Sequence, residues 1–351
     1  RICLVGSEMC IRDRLNTMNI IIPMAGWGSR LRPHSLTVPK PMMPVAGDPI
    51  VAGLCKSLIQ LAGKADCLHF VIREDFGKGV EDKLQEIARD LDAECRIDYQ
   101  TEPLGTAHAI LCASSSLEGE VIIGFADTLF EATFDLDPSA DATIWVKQVD
   151  DPRAFGVVNL NASNRIESFE EKPQNPKSDL AIIGVYHFKD AADIRREMQH
   201  LIDHDIRSKG EYQLTDALEQ LRQKGTVFVP GVVNQWMDCG NKAITVKSNA
   251  QMLDIKAAQG TLVMQGSVKN SVLIEPVYIE EGCVIENSVV GPHVTLGKNT
   301  VINNSLVANS LVQHDTEIVN ASIEGSMIGS KCSVHGKVAD LSIGDYTTIQ
   351  L

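Results

Sequence analysis

The sequence lacks several features by which chemistry or location is commonly identified. It contains neither G-x-x-x-x-G-K-[ST] nor G-x-G-x-x-G, which excludes a P-loop nucleotide-binding site and the dinucleotide-binding fingerprint. Its nine cysteines are scattered, odd in number and without a C-x-x-C pair. This argues against a disulfide framework or a zinc site, and favours reduced thiols and a cytoplasmic location. No apolar run approaches about 18 residues, so we expect no transmembrane helix and no membrane partner.

Positive charge is also scarce. The 32 Lys and Arg residues against 46 Asp and Glu give a formal net charge of −14 and a pI of about 5.1. This argues against nucleic acid as a partner, and a polyanionic ligand must be attracted by a local cationic pocket. With 351 residues and 44% hydrophobic content, the chain is long enough for two ordinary globular domains.

Residues 1–17 do not resemble a signal peptide, because their apolar stretch is very short and is interrupted by Glu8. They resemble a translated sequencing adaptor, and Met18 directly precedes the first predicted strand. We therefore expect residues 1–17 to be a non-native or disordered extension.

From Met18 to about Asn249, strand-like apolar runs alternate with helix-like stretches, which predicts an α/β domain with a mostly parallel sheet. The predicted strands are Asn19–Pro23, Leu68–Ile72, Arg96–Tyr99, Val121–Phe125, Ala142–Val146, Ala181–Phe188 and Val227–Val233. The predicted helices are Ile50–Leu61, Gly79–Leu91, Thr106–Ser115, Ala191–Asp203 and Gln213–Lys224.

After about Gly260, helical periodicity gives way to short aliphatic segments. Asn-Ser followed by an aliphatic residue recurs every 17 residues, at Asn270, Asn287 and Asn304. Three segments of about six residues make one triangular coil, so the repeat predicts a parallel β-helix of the hexapeptide type. An ordinary antiparallel β-domain is the alternative, and the regular repeat argues against it.

Two neighbouring motifs suggest a phosphate site. The apolar run Asn19–Pro23 leads into Gly26-Trp27-Gly28-Ser29-Arg30, and Pro39-Lys40-Pro41 follows. Glycines let backbone N–H groups converge on an anion, and an arginine adds a permanently charged fork. The two prolines present Lys40 from a stiff loop.

The segment from Met18 to Pro44 resembles the opening of the sugar-phosphate nucleotidyltransferases, which join a nucleoside triphosphate to a sugar 1-phosphate and release pyrophosphate. Matching motifs continue to about residue 245, and glucose-1-phosphate thymidylyltransferases with a C-terminal β-helix are the most similar members. The resemblance implies a Rossmann-like nucleotidyltransferase domain at residues 18–250. A left-handed parallel β-helix at residues 251–351 would follow it and mediate homo-oligomer formation.

The resemblance assigns catalytic roles to Arg30, facing the triphosphate, and Lys40, at the reacting phosphates. The segment Tyr99–Ala107 would line the base, where the Gln100 amide can pair with the N3–H and O4 edge of uracil or thymine. The expected nucleotide-binding residues are Ala25, Gly26, Gly28, Ser29, Gln100, Pro103, Gly105 and Thr106.

Two aspartates resemble the family's Mg²⁺ ligands and are also assigned to catalysis. Asp127 ends the apolar strand Val121–Phe125, and Asp238 belongs to a W-x-D-x-G motif that starts at Trp236. Mg²⁺ prefers oxygen ligands and is often held by one or two carboxylates together with substrate phosphates. Many members have Gly where Ala126 stands, which affects the end of the strand but not the aspartate.

Two further blocks resemble the sugar half of the site. Gly156 would let the sugar approach the backbone, Glu171 would accept hydrogen bonds from sugar hydroxyls, and Lys172 would hold the sugar phosphate. Tyr186 and Trp236 complete the expected sugar-phosphate-binding set.

Three functions remain open at this stage. A transferase that makes a dTDP- or UDP-sugar, with glucose 1-phosphate as acceptor, is favoured. A bifunctional enzyme would also acylate an amino sugar, using a histidine among His293, His314 and His335. A non-catalytic subunit that only binds NDP-sugar is disfavoured, because such proteins tend to lose the charged site residues. No motif distinguishes dTTP from UTP or fixes the sugar.

Overall fold

The structure is a computed structural model that describes residues 18–132, 137 and 139–336. The predicted extension at residues 1–17 lies outside the described residues. The chain divides into two compact units. Among the described residues, the first unit comprises 18–43 and Asp48–Gly240, and the second comprises Pro44–Gly47 and 241–336.

The strands up to Gly240 are numbered in chain order. They are β1 (Asn19–Pro23), β2 (Pro44–Val45), β3 (Asp48–Pro49), β4 (Cys67–Ile72), β5 (Glu94–Tyr99), β6 (Val121–Gly124), β7 (Thr128–Glu131), β8 (Ala142–Gln148), β9 (Gly156–Leu160), β10 (Ile166–Glu171), β11 (Leu180–Phe188), β12 (Phe228–Val232) and β13 (Gln235–Asp238).

Nine of these strands form one mixed sheet in the order β10-β9-β11-β6-β1-β4-β5, with β8 on β11 and β12 on β8. Strands β6, β1, β4 and β5 run parallel, so their carboxyl ends share one edge. Strand β11 is antiparallel to β6 and β8. The sheet is therefore parallel where the phosphate motif lies and mixed in its other half, whereas the alternation of elements predicted a mostly parallel sheet.

The helices of the first unit follow the predicted ones closely. Apolar side chains from the sheet and helices form a core that includes Ile21, Ile110, Ile144 and Leu218, all buried. The helices are α1 (Ile50–Ala62), α2 (Lys78–Asp90), α3 (Thr106–Cys112), α4 (Ala192–Asp203) and α5 (Leu214–Gln223).

The longer segment of the second unit begins with α6 (Lys242–Ala258), which the sequence did not predict. The Asn241 side chain caps this helix by accepting from the Ile244 N–H at 3.1 Å. Short parallel strands then stack in three sheets. They are β14 (Ser267–Lys269), β15 (Val272–Leu273), β16 (Val277–Ile279), β17 (Val284–Glu286), β18 (Val289–Val290), β19 (Val294–Leu296), β20 (Val301–Asn303), β21 (Leu306–Ala308), β22 (Ser310–Val312), β23 (Glu317–Val319), β24 (Ser322–Glu324), β25 (Met327–Ile328) and β26 (Ser333–His335).

Strand register in these sheets matches the repeat in the sequence. Val272 lies beside Val289, and Val289 beside Leu306, so the first coils advance by 17 residues. The next coil advances by 16 residues, since Leu306 lies beside Ser322. Every third strand belongs to the same sheet, as a triangular coil requires. The inward aliphatic side chains, such as Ile285 and Ile302, form a buried column. The part of the predicted β-helix beyond residue 336 lies outside the described residues.

Across the described ranges, no helix is both long and apolar enough to cross a membrane.

Candidate active site

Three segments at the carboxyl edge of the parallel strands surround one cavity of about 410 Å³. They are the Gly-rich loop after β1 and the segments after β5 and β6. Ligands of such sheets bind beyond the carboxyl ends of the strands, and the volume suits a small molecule. Eleven of the residues selected from the sequence line this cavity: Ala25, Gly26, Gly28, Ser29, Arg30, Lys40, Gln100, Pro103, Gly105, Thr106 and Asp127.

The Gly-rich loop needs glycine at position 28. Gly28 has φ of 59°, in the left-handed region, and an added Cβ would lie 2.8 Å from the Lys40 Cβ. Its carbonyl accepts a hydrogen bond from the Ser35 hydroxyl at 2.8 Å. The loop therefore packs closely over the lysine of the Pro-Lys-Pro motif.

Lys40 is buried, with 8% of its surface exposed. An ammonium group in such a position requires a partner, and Lys40 Nζ lies 3.0 Å from Asp127 Oδ2. The structure thus brings together two residues that are separated by 87 positions in the sequence.

Asp238 is brought to the same place by a two-stranded antiparallel ladder. Strand β7 begins one residue after Asp127, and β13 ends at Asp238, which pairs with Thr128. The Cys239 N–H donates to the Asp127 carbonyl at 3.0 Å and extends the ladder by one step. Burial raises the pKa of Asp238, and the negative charge of Asp127 raises it further, while Lys40 and Arg30 oppose the shift. Arg30, Lys40 and Asp127 are therefore close enough to Asp238 for their charges to shift its pKa.

The pair of aspartates fits a Mg²⁺ ion. The described residues hold no group of three or more His, Cys, Asp or Glu side chains suited to a metal. Two carboxylates are nevertheless a usual protein contribution to Mg²⁺, because substrate phosphates and water complete the coordination. A half-buried carboxylate whose pKa is raised by burial and by a second carboxylate gains from a bound cation.

The segment after β5 uses both N–H groups of the Gln100 amide. Nε2 donates to the Gly105 carbonyl at 3.2 Å and lies 3.0 Å from His108 Nδ1. Burial lowers the pKa of His108, consistent with a neutral ring that accepts at Nδ1. In this arrangement the amide oxygen of Gln100 is the atom left to face a base, and it can accept from N3–H. The sequence had suggested a donor role toward O4 as well.

Gly105 also meets a requirement of the backbone. Its φ is 123°, and an added Cβ would lie 2.5 Å from the Tyr212 carbonyl oxygen. The Tyr212 N–H donates to the Leu104 carbonyl at 2.8 Å, and the Ala107 N–H donates to the Tyr212 carbonyl at 3.0 Å. The segment after β5 is therefore fixed against the chain that leads into α5.

Glu171 is the centre of the sugar-side residues. It pairs with Gly156 across the β9–β10 hairpin, and its Oε2 accepts from the Thr215 hydroxyl at 2.8 Å. Lys172 Nζ lies 3.2 Å from Glu171 Oε1. An added Cβ at Gly156 would lie 3.4 Å from both Glu171 Oε2 and Thr215 Oγ1. The absence of a side chain at 156 leaves the carboxylate approachable from that side.

Tyr186 and Trp236 connect the sugar side with the aspartates. Burial raises the pKa of Tyr186, and the charges of Glu171 and Asp127 raise it further. Trp236, on β13, contacts Phe155 edge-on with ring centroids 5.1 Å apart. Its Nε1 is buried and has no hydrogen-bond partner among the described residues. These residues lie outside the lining of the 410 Å³ cavity.

Sequence reasoning missed several neighbours of the site. Trp27 and Glu211 line the cavity, and Thr215 holds Glu171. Glu211 and Thr215 belong to the motif Glu211–Asp216, to which the sequence analysis assigned no role. The hydrogen bonds of Tyr212, in that motif, to Leu104 and Ala107 bring it to the cavity, and nothing in the sequence indicated this long-range contact.

A larger cavity of about 870 Å³ lies elsewhere in the first unit, beside β8 and β12. Its wall includes Asp137 and Arg165 but none of the selected phosphate, metal or sugar residues. We therefore place the candidate site at the smaller cavity, where the charged residues meet.

Comparison with known families agrees with this fold. The chain belongs to the nucleotidyl transferase family, whose model matches residues 19–254. A second model, for a GlmU-like C-terminal hexapeptide domain, matches residues 242–309. The second unit is accordingly a left-handed β-helix of hexapeptide repeats, and the predicted fold class is confirmed.

The individual relatives fall into two groups by name. The glucose-1-phosphate thymidylyltransferase of Streptomyces antibioticus is 31% identical over 371 residues, covering 95% of this chain and 99% of that protein. The bifunctional protein GlmU of Methanocaldococcus jannaschii is 30% identical over 271 residues, covering 76% of this chain and 61% of that protein. The match thus spans about three fifths of the bifunctional relative.

Among solved structures, one from Bacillus anthracis, described as a glucose-1-phosphate thymidylyltransferase in complex with sucrose, has the same fold. The TM-score is 0.56 at 23% identity, and the match covers 67% of this chain and 95% of that one.

Proposed function

We propose that the protein transfers a nucleotidyl group from dTTP or UTP to a sugar 1-phosphate, with glucose 1-phosphate as the acceptor, and releases pyrophosphate. The observation that carries the proposal is the meeting of Lys40, Asp127, Asp238 and the Gly-rich loop at one strand edge. The name and full-length match of the Streptomyces relative support the choice of substrates.

The reaction requires positioning and charge stabilisation more than a protein nucleophile. An oxygen of the sugar phosphate attacks the α-phosphorus, and the bond to the pyrophosphate oxygen breaks. Arg30 and Lys40 neutralise negative charge on the triphosphate as the leaving group departs. Mg²⁺ bound by Asp127 and Asp238 would add Lewis-acid stabilisation of the phosphate oxygens.

Base and sugar are held by different segments. Gln100 Oε1 would accept from N3–H of uracil or thymine, a hydrogen bond that cytosine cannot donate in its neutral form. Glu171, fixed by Thr215, would accept from sugar hydroxyls, while Lys172 would bind the sugar phosphate. The Gly105 and Gly156 positions let nucleotide and sugar approach the backbone.

A single panel assay tests the proposal. Four nucleoside triphosphates are crossed with several sugar 1-phosphates, and pyrophosphate release is measured with and without Mg²⁺. Release with dTTP or UTP and glucose 1-phosphate is expected. Activity confined to purine triphosphates would contradict the base assignment, and no release with any pair would contradict the proposed reaction.

Lys172→Ala is expected to raise the KM for the sugar phosphate by roughly 10- to 100-fold, since it removes a charge-assisted hydrogen bond. The KM for the nucleotide should change little. Lys177→Ala, at an exposed lysine of the same segment, is the control. An effect of Lys172→Ala on the nucleotide alone would contradict the division between base and sugar sides.

We also propose that the β-helix assembles copies of the chain. One of its sheets carries an outward apolar stripe of Val272, Val289 and Leu306 in register, with Val272 56% and Leu306 46% exposed. An exposed apolar stripe can pack against the same stripe of a second copy. Because the stripe carries no charged side chain, this packing brings no like charges together.

Leu306→Glu combined with Val272→Glu is expected to dissociate the oligomer, as measured by light scattering. Val301→Glu, on the neighbouring sheet, is the control. A chain ending at Gly260 should also lose assembly or stability and keep some transfer activity. A monomeric full-length protein would contradict the assembly role, and a folded but inactive truncated chain would show that the β-helix completes the site.

A second activity in the β-helix has less support. His293 Nε2 lies 2.8 Å from Asp254 Oδ1, and His314 and His335 are paired with Asp315 and Glu317. Turnover of acetyl-CoA would favour the bifunctional alternative, and NDP-sugar binding without transfer would favour the regulatory one. We also propose a cytoplasmic location, because the described residues contain no disulfide and reduced thiols are usual there.

A further inference from the structure

Trp27 occupies an unusual position in the Gly-rich loop. It stands between Gly26 and Gly28, lines the cavity and is 57% exposed. Its indole ring is covered on one face by the guanidinium of Arg73, whose Cζ lies 3.4 Å from the ring centroid. Arginine stacked on tryptophan is a favourable cation–π arrangement.

Arg73 is itself held in place. It directly follows β4, the neighbour of β1 in the sheet, and its Nε donates to Asp75 Oδ1 at 2.8 Å. Its Nη2 donates to Asp75 Oδ2, so the planar guanidinium makes a bidentate contact with both carboxylate oxygens. The side chain of Arg73 is only 17% exposed, while that of Asp75 is 60% exposed.

The loop needs such a contact because of its composition. A Cβ added at Gly26 would meet no atom within 4 Å, so the space beside this residue is open, and glycine itself gives the backbone more conformational freedom than other residues. On the other side of Trp27, the Gly28 carbonyl is fixed by the Ser35 hydroxyl and the Leu31 N–H. The stack on Arg73 supplies a contact on the side of the loop that faces β4.

We propose that Trp27, Arg73 and Asp75 form a loop anchor that holds the Gly-rich loop in its phosphate-binding shape before the nucleotide arrives. Arg73 and Asp75 are then positioning residues, and their opposite charges add no net charge beside the triphosphate. The inference rests on the proposed function for its consequence, because a loop already ordered loses less entropy on nucleotide binding.

The first test needs no substrate. Hydrogen exchange is measured on the free protein for peptides that cover residues 24–32, in Trp27→Ala, Arg73→Ala and Asp75→Ala. We expect faster exchange in all three and near-normal exchange in Trp27→Phe, which keeps a ring for stacking. Arg96→Ala is the matched control, because Arg96 makes a similar fork with Glu94 on β5. Unchanged exchange in Arg73→Ala would overturn the proposal.

The second test measures the equilibrium Kd for dTTP and UTP without sugar phosphate. Trp27→Ala and Arg73→Ala should each raise Kd about tenfold, and the double variant should be no weaker than either single variant. The KM for the sugar phosphate should stay within twofold. Additive losses in the double variant, or a loss with Trp27→Ala alone, would overturn the anchor. If the unaltered protein bound no nucleoside triphosphate, the proposed function would fail, and hydrogen exchange would still decide whether the anchor orders the loop.

Discussion

Asp127→Asn is expected to lower turnover by on the order of 10²-fold or more while the protein stays folded. The substitution keeps the shape of the side chain but removes the charge that would hold Mg²⁺, and it also removes the partner of buried Lys40. Asp238→Asn should act similarly. Steady-state rates of pyrophosphate release, with circular dichroism to check folding, measure the effect.

The matched control is Asp82→Asn. Asp82 also pairs with a lysine, Lys78 at 3.0 Å, but on the exposed surface of α2. Its replacement should leave turnover unchanged. The metal assignment also predicts that activity disappears in excess chelator and returns when Mg²⁺ is added. Full activity in chelator would contradict it.

Lys40→Ala is expected to reduce kcat by about 10²- to 10³-fold, and to weaken binding of the nucleoside base much less. The ammonium lies against Asp127, and under the proposed function phosphate charge changes there during transfer. Its removal takes away stabilisation that is larger in the transition state than in the ground state.

Because Gly28 packs against the Lys40 side chain, Lys40→Ala could also disturb the loop. Lys40→Met keeps most of the aliphatic chain and removes the charge, so it should show nearly the same loss of kcat. Lys56→Ala, at an exposed lysine paired with Asp48, is the control. Near-normal turnover with only a raised KM for the nucleotide would show that Lys40 does not act at the reacting centre.

The sequence predicted the parallel part of the sheet in the first unit in some detail. Strand β1 has the predicted bounds, and β4, β5 and β6 differ by one or two residues. Strands β1, β4 and β6 are short runs of mostly buried apolar residues, and buried parallel strands are recognisable from such runs. The 17-residue repeat predicted the coils of the β-helix for a similar reason, since side chains of adjacent coils stack in register.

Other elements could not be predicted from local patterns. Strands β7 and β13 have four residues each, and their pairing depends on a contact between distant segments. The helix α6 was missed because its apolar residues are distributed around the helix and do not form one face. The Gln100 amide was assigned both donor and acceptor roles, because only the structure shows that Gly105 and His108 use its N–H groups.

The ladder between β7 and β13 has a consequence for folding. Asp127 and Asp238 lie more than a hundred residues apart in the chain, so bringing them together closes a long loop at an entropic cost. Long-range pairings of this kind tend to form late, after local helices and neighbouring strands. A growing chain could therefore complete the sheet strands β1, β4, β5 and β6 well before β13 is synthesised, and it would acquire paired carboxylates only in the last step of assembling the first unit.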